Sequence, residues 1–482
     1  MKAYMALAMA LSACMAADAQ YWRALGKGTI GPTEVQTLFG DVATDRLLAG
    51  GTFMWIRNEH DTLLGIGQAA WNGTQWDSVA TRIQRGNIPN SVQQTFWFLR
   101  FQEQLFACGA FAFSTGDGQG NSSMARLNEA TEKWEPLSCP VPNSASINTL
   151  VPKLPDTALY ATGRYTELCG LPENCVFRFD GTEFHPWAPF DQIPYYDDNL
   201  VGFVFDFRGM TYITGFFRDP LSEGYACFLR WNGTSWEYVP GWGTYYGPIK
   251  EILVHDDILY VGGAFRMDNG GPGNGVASFD GEQWNSLGGG VLNTAMPGNT
   301  AVLGLQWFHD ELVVCGRFME AAGVPCSSIA KWDGQHWCSY PGELRAYWGH
   351  HPTLYELAVW RDSLYVCGTV LTVDGDTMQQ VLQWTGGDAV GGCSTVGLSE
   401  AAAPLAQLQA APLPGGGQWR ITFPQQGNWH LAAYNTAGQV VGRWDTGGNS
   451  MVINLGPAPP GLYFLRAIST NKQQLATKVL RP

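Results

Sequence analysis

The chain has 482 residues, of which 45% are hydrophobic and only 15% charged, and its formal net charge is −14. This length is sufficient for more than one domain with a buried core. The acidity argues against a nucleic-acid partner, because such partners require a basic surface that neutralises phosphates. The 59 glycines, 20 tryptophans and 13% aromatic residues are typical of many short strands joined by tight turns. The composition therefore predicts an all-β protein.

The first residues have the pattern of an export signal. Lys2 precedes an apolar run at residues 4–11, and small residues follow up to Ala19. We interpret residues 1–19 as a signal peptide that is cleaved after Ala19. In the alternative interpretation Cys14 ends a lipoprotein box, is acylated and holds the protein at a membrane. No later stretch reaches the roughly 18 apolar residues of a membrane-spanning helix, so we expect a secreted or cell-surface protein without a transmembrane segment.

Internal repetition dominates residues 20–393. The two clearest copies are Leu259–Phe265 followed by Val276–Trp284, and Leu312–Phe318 followed by Ile329–Trp337. Seven landmark residues recur at a mean spacing of about 53 residues, a period that is typical of β-propellers: Phe53, Phe111, Tyr165, Phe217, Phe265, Phe318 and Val370. Each repeat divides into four short strands, so the sequence predicts a seven-bladed β-propeller.

Two details of the repeats predict how the blades are built. An Asn-Gly or Asp-Gly pair separates the third and fourth strands in five repeats, which favours a type I′ turn with positive φ at both residues; these pairs begin at Asn72, Asp180, Asn232, Asp280 and Asp333. The seventh repeat ends near Trp384 without a fourth strand. We expect residues 22–28 to supply that strand and so to close the ring.

The repeats resemble those of Kelch and galactose-oxidase-like propellers, and more closely the Leu-Tyr-Val-Gly-Gly-x-Phe repeats of bacterial surface proteins. The resemblance covers residues 20 to about 393 and implies a propeller fold. The copper-ligating Tyr, Cys and His pattern of galactose oxidase has no counterpart here, so the resemblance does not imply oxidase chemistry.

The C-terminal part has a different organisation. Residues 394–417 are rich in Ala, Pro, Leu and Gly and are predicted to form a linker. Residues 418–482 alternate apolar and polar positions in short segments, which predicts a small antiparallel β-sandwich.

This last segment closely resembles the type A C-terminal sorting domain of the type IX secretion system of Bacteroidota. The residues that carry the likeness lie in the stretches 434–441, 453–455, 460–466 and 478–481, and include Gly438, Pro460, Gly461, Tyr463 and Lys478. The resemblance implies that the outer-membrane translocon of that system is a partner. A generic fibronectin-like accessory domain is the alternative.

Aromatic residues cluster in loops that are expected on one face of the propeller. We predict that they bind a glycan or a protein, because exposed rings stack on sugars or anchor peptides; the residues are Trp187, Tyr195, Tyr196, Trp242, Tyr245, Tyr246, Tyr347 and Trp348. The alternative is that these rings fill the gaps between blades.

Two carboxylates occupy the same register of their repeats. Glu251 and Glu356 are each expected at the start of an innermost strand, near the mouth of the central channel. A pair of carboxyl groups separated by about 5 to 9.5 Å is the catalytic arrangement of glycoside hydrolases. In the alternative, both side chains simply contact water.

The cysteines and the metal-ligand types give fewer indications. Cys169 and Cys175 flank a short loop and are the favoured disulfide pair in an oxidising compartment. Equivalent strands of adjacent blades lie about 10 Å apart, beyond the roughly 7 Å that a disulfide spans. We therefore expect the cysteines that share one repeat position to be buried thiols: Cys108, Cys315 and Cys367.

No cofactor is expected from the sequence. His350 and His351 are adjacent and therefore point to opposite faces of a strand, which disfavours joint metal ligation. Bound Ca²⁺ is an alternative at three acidic loops without EF-hand spacing: Asp117 with Asn121, Asp268 with Asn269, and Asp374 with Asp376.

Two functional hypotheses follow. The first is a non-catalytic, exported binding propeller that recognises a glycan or a protein through its aromatic loops. The second is a secreted glycan-active hydrolase or lyase that uses Glu251 and Glu356. The first is favoured because the sequence contains no recognised hydrolase motif.

Overall fold

The computed structural model describes residues 21–481, with gaps at 31–33, 66, 81–93, 116–117, 137–145, 153–158, 165–166, 169–170, 173–175, 188–195, 219–224, 240, 243–246, 395–407, 414–416, 425, 436–439 and 470–473. The chain divides into two compact units, Met1–Val396 and Gly397–Pro482. The signal-peptide residues and Cys14 lie outside the described residues. Within the described part, no helix has the length and hydrophobicity needed to cross a bilayer.

Among the described residues, the first half of the first unit contains 21 strands. They are β1 (Trp22–Ala24), β2 (Val35–Asp41), β3 (Arg46–Gly51), β4 (Trp55–Arg57), β5 (Thr62–Leu64), β6 (Gln68–Trp71), β7 (Trp76–Asp77), β8 (Gln94–Phe101), β9 (Gln104–Thr115), β10 (Gly118–Asn128), β11 (Lys133–Pro136), β12 (Ser146–Pro152), β13 (Leu159–Arg164), β14 (Glu167–Leu168), β15 (Leu171–Pro172), β16 (Val176–Phe179), β17 (Phe184–Pro186), β18 (Tyr196–Phe207), β19 (Met210–Arg218), β20 (Tyr225–Trp231) and β21 (Trp236–Tyr238).

The second half of the first unit continues the pattern. Its strands are β22 (Ile249–His255), β23 (Ile258–Gly263), β24 (Val276–Phe279), β25 (Trp284–Asn285), β26 (Val291–Leu292), β27 (Ala301–Phe308), β28 (Glu311–Arg317), β29 (Glu320–Ala321), β30 (Val324–Pro325), β31 (Ile329–Trp332), β32 (Trp337–Ser339), β33 (Leu344–Arg345), β34 (Leu354–Trp360), β35 (Ser363–Gly368), β36 (Thr372–Val373), β37 (Asp376–Thr377), β38 (Val381–Trp384) and β39 (Gly392–Cys393). Three short 3₁₀ turns lie at Met267–Asn269, Pro297–Asn299 and Tyr347–Gly349.

These strands form seven antiparallel sheets of four or five strands. In chain order the sheets are β2-β3-β6-β7, β8-β9-β10-β11, β12-β13-β16-β17, β18-β19-β20-β21, β22-β23-β24-β25, β27-β28-β31-β32-β39 and β34-β35-β38-β1, and we number them one to seven. The first strand of each sheet contacts the first strand of the next, and β34 of sheet seven contacts β2 of sheet one. The seven innermost strands therefore close a ring around a central channel, which is the architecture of a β-propeller.

Strand β1 is the outermost strand of sheet seven, although it comes first in the chain. It pairs antiparallel with β38, and Trp22 lies opposite Trp384. The Trp22 side chain is fully buried and its indole Nε1 donates a hydrogen bond of 2.8 Å to the carbonyl oxygen of Pro341 in sheet six. The N-terminal strand thus contacts both its own sheet and the preceding one.

The same tryptophan contact recurs between other sheets. The indole Nε1 of Trp76 donates to the carbonyl oxygen of Leu25 at 2.9 Å, and that of Trp337 donates to Leu287 at 2.6 Å. A glycine with positive φ packs against the tryptophan ring in these contacts. A Cβ at Gly26 would stand 2.9 Å from a ring atom of Trp76, and a Cβ at Gly342 would stand 3.0 Å from a ring atom of Trp22. This packing gives the physical reason for the repeated Leu-Gly after the fourth strand.

The third and fourth strands are joined as expected, but the predicted turn type is wrong. The glycine alone has positive φ, at 109° in Gly73 and 98° in Gly334, whereas Asn72 and Asp333 do not. One positive φ at the first central position is the requirement of a type II′ turn. The Asn or Asp precedes the central pair, and its side chain accepts hydrogen bonds from two backbone N–H groups, as Asn72 does from Thr74 and Gln75.

Type I′ geometry occurs instead between the first and second strands. Both central residues have positive φ in Asp256-Asp257, His309-Asp310 and Arg361-Asp362. No glycine marks these turns, so the sequence pattern did not reveal them. They lie at the end of the channel opposite the connections that enter the innermost strands.

Short strands also occur in the loops between the second and third strands of a sheet and in the segments that precede the innermost strands. Strands β4 and β5 form a hairpin, β26 pairs with the β29-β30 hairpin, and β33 pairs with the β36-β37 hairpin. In sheets six and seven the segment before the innermost strand is thereby tied to the loop between the second and third strands. This face of the propeller is consequently built from hydrogen-bonded structure.

The second unit is an antiparallel sandwich. Its strands are β40 (Gln409–Pro412), β41 (Gln418–Thr422), β42 (Trp429–Tyr434), β43 (Val440–Thr446), β44 (Ser450–Asn454), β45 (Gly461–Ser469) and β46 (Gln474–Arg481). They form the sheets β40-β41-β44 and β43-β42-β45-β46, and both sheets contribute to one hydrophobic core that includes Ile421, Trp429 and Leu465. Strand β40 begins inside the predicted linker.

Candidate functional site

A β-bulge recurs in the innermost strands near the end where they begin. In β22 the register shifts between Ile249 and Glu251, so that Lys250 is the extra residue. In β34 the shift falls between Leu354 and Glu356, and Tyr355 is the extra residue. A bulge redirects the side chains around it and is frequent near functional sites. Here it places a polar residue at the mouth and a glutamate one position deeper in the channel.

Glu251 and Glu356 come close together although one sheet separates them. The strand between them, β27, has its own register shift before Gly304, which occupies the equivalent position. A Cβ at Gly304 would stand 3.0 Å from Cys315 Sγ and 3.3 Å from the Cα of Glu356. The absence of a side chain at Gly304 lets β27 pack closely against Cys315 and the backbone of Glu356.

Burial opposes ionisation of both carboxyl groups. Burial raises the pKa of Glu356 to about 8. Burial and the nearby Glu356 raise the pKa of Glu251 well above its usual value. Each Oε1 accepts a 3.1 Å hydrogen bond from the next backbone N–H, of Ile252 or Leu357, and Glu251 Oε2 is buried without a partner. The structure therefore places the pair inside the channel, deeper than the predicted mouth position.

A chain of polar side chains surrounds part of the channel mouth. The Tyr355 hydroxyl donates to Glu34 Oε2 at 2.9 Å, and Gln36 Nε2 donates to the same oxygen at 3.2 Å. Gln94 Nε2 in turn donates to Gln36 Oε1 at 2.6 Å. These contacts link sheets seven, one and two. We use "channel mouth" below for the side chains of Glu34, Gln36, Gln94, Lys250, Arg317 and Tyr355.

Two cations complete the channel mouth. Lys250 belongs to the bulge of β22, and Arg317 ends β28 opposite Ala301 at the start of β27. Burial and the charge of Arg317 lower the pKa of Lys250. Among the described residues neither cation forms an ion pair, and the Nε of Arg317 is buried without a hydrogen-bond partner. The sequence analysis missed both residues; the register that aligned the two glutamates also aligns Lys250 with Tyr355.

The predicted aromatic ligand residues separate into three groups. Trp187 is 8% exposed and packs edge to face on Tyr160 and Trp236. Trp242 is partly buried against Phe265 and Trp284. For these two the ligand-binding prediction is corrected: the rings fill gaps between sheets, because burial against neighbouring aromatic rings is more favourable than exposure to water.

The other six predicted aromatic residues form the two remaining groups. Tyr347 and Trp348 are 50% and 91% exposed on the connection from β33 to β34, so they stay candidates for ligand binding. Tyr195, Tyr245 and Tyr246 lie outside the described residues, as does the side chain of Tyr196.

The cysteines form one described disulfide, between Cys338 and Cys393, which joins β32 to β39. The sequence analysis did not select this pair, because the two residues are 55 positions apart. Cys169 and Cys175 lie outside the described residues. The prediction for the shared repeat position is confirmed, since three buried cysteines outside any disulfide occur there: Cys108, Cys315 and Cys367.

Asp268 and Asp374 have protein contacts, whereas the Nδ1 of His351 is buried without a hydrogen-bond partner in the described part of the chain. Asp268 forms an ion pair with Arg266, and Asp374 accepts a 2.7 Å hydrogen bond from the backbone N–H of Glu343. Asp376 is exposed, and Asp117 is outside the described residues. His350 and His351 do not converge with other ligand types, and the described part of the chain holds no group of three or more His, Cys, Asp or Glu arranged around a metal position.

The candidate sorting residues occupy distinct positions in the sandwich. Tyr463 is buried, and its hydroxyl donates a hydrogen bond to the carbonyl oxygen of Pro459. Lys478 is exposed and pairs in register with Phe464, while Pro460 and Gly461 lie where β45 begins. Gly438 is outside the described residues. The Tyr463 contact fixes the turn that leads into β45.

No protein-family model matches the sequence, and a search of curated proteins finds no match. Among solved structures the chain is similar to PorZ, a surface component of the type IX secretion system of Porphyromonas gingivalis, at 10% identity and a TM-score of 0.31, over 95% of this chain and 85% of that one. It is similar to the propeller domain of the Trilobed protease from Pyrococcus furiosus at 10% identity and a TM-score of 0.37, over 72% and 95%.

A third similar structure is the sialidase of Trypanosoma rangeli, at 10% identity and a TM-score of 0.35, over 94% of this chain and 85% of that one. TM-scores below 0.5 establish neither a shared fold nor a shared function. The fold assignment rests instead on the ring of sheets and its strand order. The chain is an all-β protein whose first unit is a β-propeller and whose second unit is an antiparallel sandwich.

Proposed function

We propose that this protein is an exported, Kelch-like seven-bladed propeller that binds a glycan or a protein at the channel mouth without cleaving it. The observation that carries the proposal is the enclosed position of the two channel carboxyl groups: each accepts a hydrogen bond from the next backbone N–H, and Glu251 Oε2 is buried without a partner among the described residues. Hydrolysis by a carboxyl pair requires one member to be ionised, as base or nucleophile. Burial opposes ionisation of both Glu251 and Glu356 at neutral pH.

The channel mouth has the polar groups that a binding site needs. Tyr355, Gln36 and Gln94 present hydroxyl and amide groups on consecutive sheets, and Trp348 offers an exposed ring. Convergent polar groups beside an aromatic surface are the usual composition of a ligand site. Export is proposed from the signal pattern at residues 1–19 and from the sorting-domain resemblance of residues 418–482, with the type IX translocon as partner.

The test uses the mature chain, residues 20–482, on a glycan array and in a depolymerisation assay at pH 7. We expect binding to at least one glycan class and no shortening of any polysaccharide. The double variant Glu251→Gln and Glu356→Gln serves as the control and should bind like the wild type. Shortening by the wild type but not by the double variant would establish the hydrolase or lyase hypothesis and refute ours.

A further inference from the structure

We propose that the channel mouth recognises an acidic saccharide, whose carboxylate or sulfate is bound between Lys250 and Arg317 while Trp348 stacks on a sugar ring. This inference rests on the proposed binding function and adds the chemical class of the ligand. It is drawn from the placement of the two cations, their lack of an ion-pair partner among the described residues, and the exposed ring of Trp348 on the segment that precedes β34.

Three consecutive sheets bring these groups to one side of the channel mouth. Lys250 is on β22 of sheet five, Arg317 is on β28 of sheet six, and Tyr355 is on β34 of sheet seven. Innermost strands β22, β27 and β34 contact one another in that order. Arg317 acts electrostatically on both neighbours, since its charge lowers the pKa of Lys250 and opposes the rise in the pKa of Tyr355.

Neither Lys250 nor Arg317 has an ion-pair partner among the described residues, although the carboxyl group of Glu34 lies in the same channel mouth. Some arginines in the propeller have carboxylate partners: Arg100 pairs with Asp41 and Glu129, and Arg361 pairs with Asp45. The buried Nε of Arg317, in contrast, has no hydrogen-bond partner. An anionic group between Lys250 and Arg317 would neutralise both charges and accept the missing hydrogen bond, since a guanidinium matches carboxylate and sulfate geometry.

The charge of the whole protein makes this local arrangement informative. With a formal net charge of −14, the surface as a whole repels polyanions. Binding of an acidic polymer therefore requires a specific cationic site, and its affinity should depend on the two cations of the channel mouth.

Several neighbouring groups favour a saccharide over an acidic peptide. Trp348 is 91% exposed on the segment that leads into β34, the strand that carries Tyr355. A free indole face is a typical platform for a sugar ring. The hydroxyl of Tyr355 and the amides of Gln36 and Gln94 are suited to hydrogen bonds with sugar hydroxyl groups.

The experiment measures binding of the mature chain to an array that carries uronate, sulfated, sialylated and neutral glycans, together with an oligoglutamate peptide. We expect the wild type to prefer acidic glycans. Comparison of the uronate glycans with the sulfated glycans shows whether the site recognises a carboxylate or a sulfate. Arg317→Gln and Lys250→Gln should each lower the affinity for the best acidic ligand at least tenfold. Arg361→Gln, in the type I′ turn at the opposite end of the channel, is the matched control and should bind like the wild type.

The outcomes separate this inference from the proposed function. Binding of neutral glycans with no preference for acidic ones overturns the inference and leaves the binding function intact. Equal binding of oligoglutamate overturns the saccharide assignment, and unchanged affinity in Arg317→Gln and Lys250→Gln overturns the site. Failure to bind any glycan counts against both proposals. An unchanged thermal midpoint of both variants shows that lost binding is not lost folding.

Discussion

Replacing Trp22 with alanine is expected to lower the free energy of unfolding of the propeller by about 4 kcal/mol, the range for deleting a fully buried tryptophan. Trp22 is 0% exposed, packs edge to face on Trp384 with ring centroids 5.0 Å apart, and donates its indole hydrogen bond to Pro341. The alanine variant loses this packing and leaves a buried carbonyl oxygen unpaired. Urea unfolding followed by tryptophan fluorescence measures the change.

The control for ring closure is Trp337→Ala. Trp337 is also 0% exposed and also makes an indole hydrogen bond to the preceding sheet, but β32 lies within continuous chain. Both variants should be destabilised to a similar extent. Only Trp22→Ala should increase amide hydrogen exchange in β38, because β38 loses its outer partner strand. Equal exchange of β38 in the two variants would contradict the closing role of β1.

Replacing Glu356 with glutamine is expected to raise stability at pH 8 by on the order of 3 kcal/mol and to change little at pH 4. The unfolded pKa of 4.5 rises to about 8 in the folded protein, mainly through burial. Between these values the folded state holds a proton that the unfolded state has lost. The contribution of Glu356 to stability is therefore fully present below pH 4.5 and is lost as the pH rises through 8. Glutamine removes this dependence and still accepts the N–H of Leu357.

The measurement is urea unfolding of wild type and variant at pH 4, 6 and 8, evaluated as the difference between the two proteins at each pH. Glu237→Gln is the matched control. Asn232 and Arg230 lower the pKa of Glu237, so its replacement should be neutral or destabilising at pH 8, the opposite sign. A Glu356→Gln variant that is no more stable than the wild type at pH 8 would show that the channel carboxyl is ionised there.

The repeats made the fold largely predictable from sequence. Regularly spaced Leu-Tyr-Val-Gly-Gly strands and Asp-Gly turns, as around Asp280, fix four strands in each repeat. The missing strand after Trp384 predicted a role for residues 22–28, and Trp22 does pair with Trp384. The predicted turn type was wrong because the Asp280 side chain accepts hydrogen bonds from the two N–H groups that follow the glycine, which favours a different turn from the one that the dipeptide usually forms.

The site was less predictable, since it depends on groups brought together from different repeats. Sequence register aligned Glu251 with Glu356, but it could not show that Gly304 packs against Cys315 and Glu356 or that burial raises the pKa of both carboxyl groups. Trp187 and Trp348 both lie in aromatic-rich loops of the sequence, yet the ring of Trp187 is buried and the ring of Trp348 is exposed. Only the packing of adjacent sheets distinguishes them.

The central claim is that ligand is bound at the channel mouth, and hydrogen–deuterium exchange with and without the best ligand from the array tests it most directly. We expect protection in peptides that cover Lys250, Arg317 and Tyr347–Tyr355, at the end where the innermost strands begin. The turns at Asp256 and Asp310, at the other end of the channel, should exchange as in the free protein. Protection of those turns, with none at Lys250 and Arg317, would contradict the account.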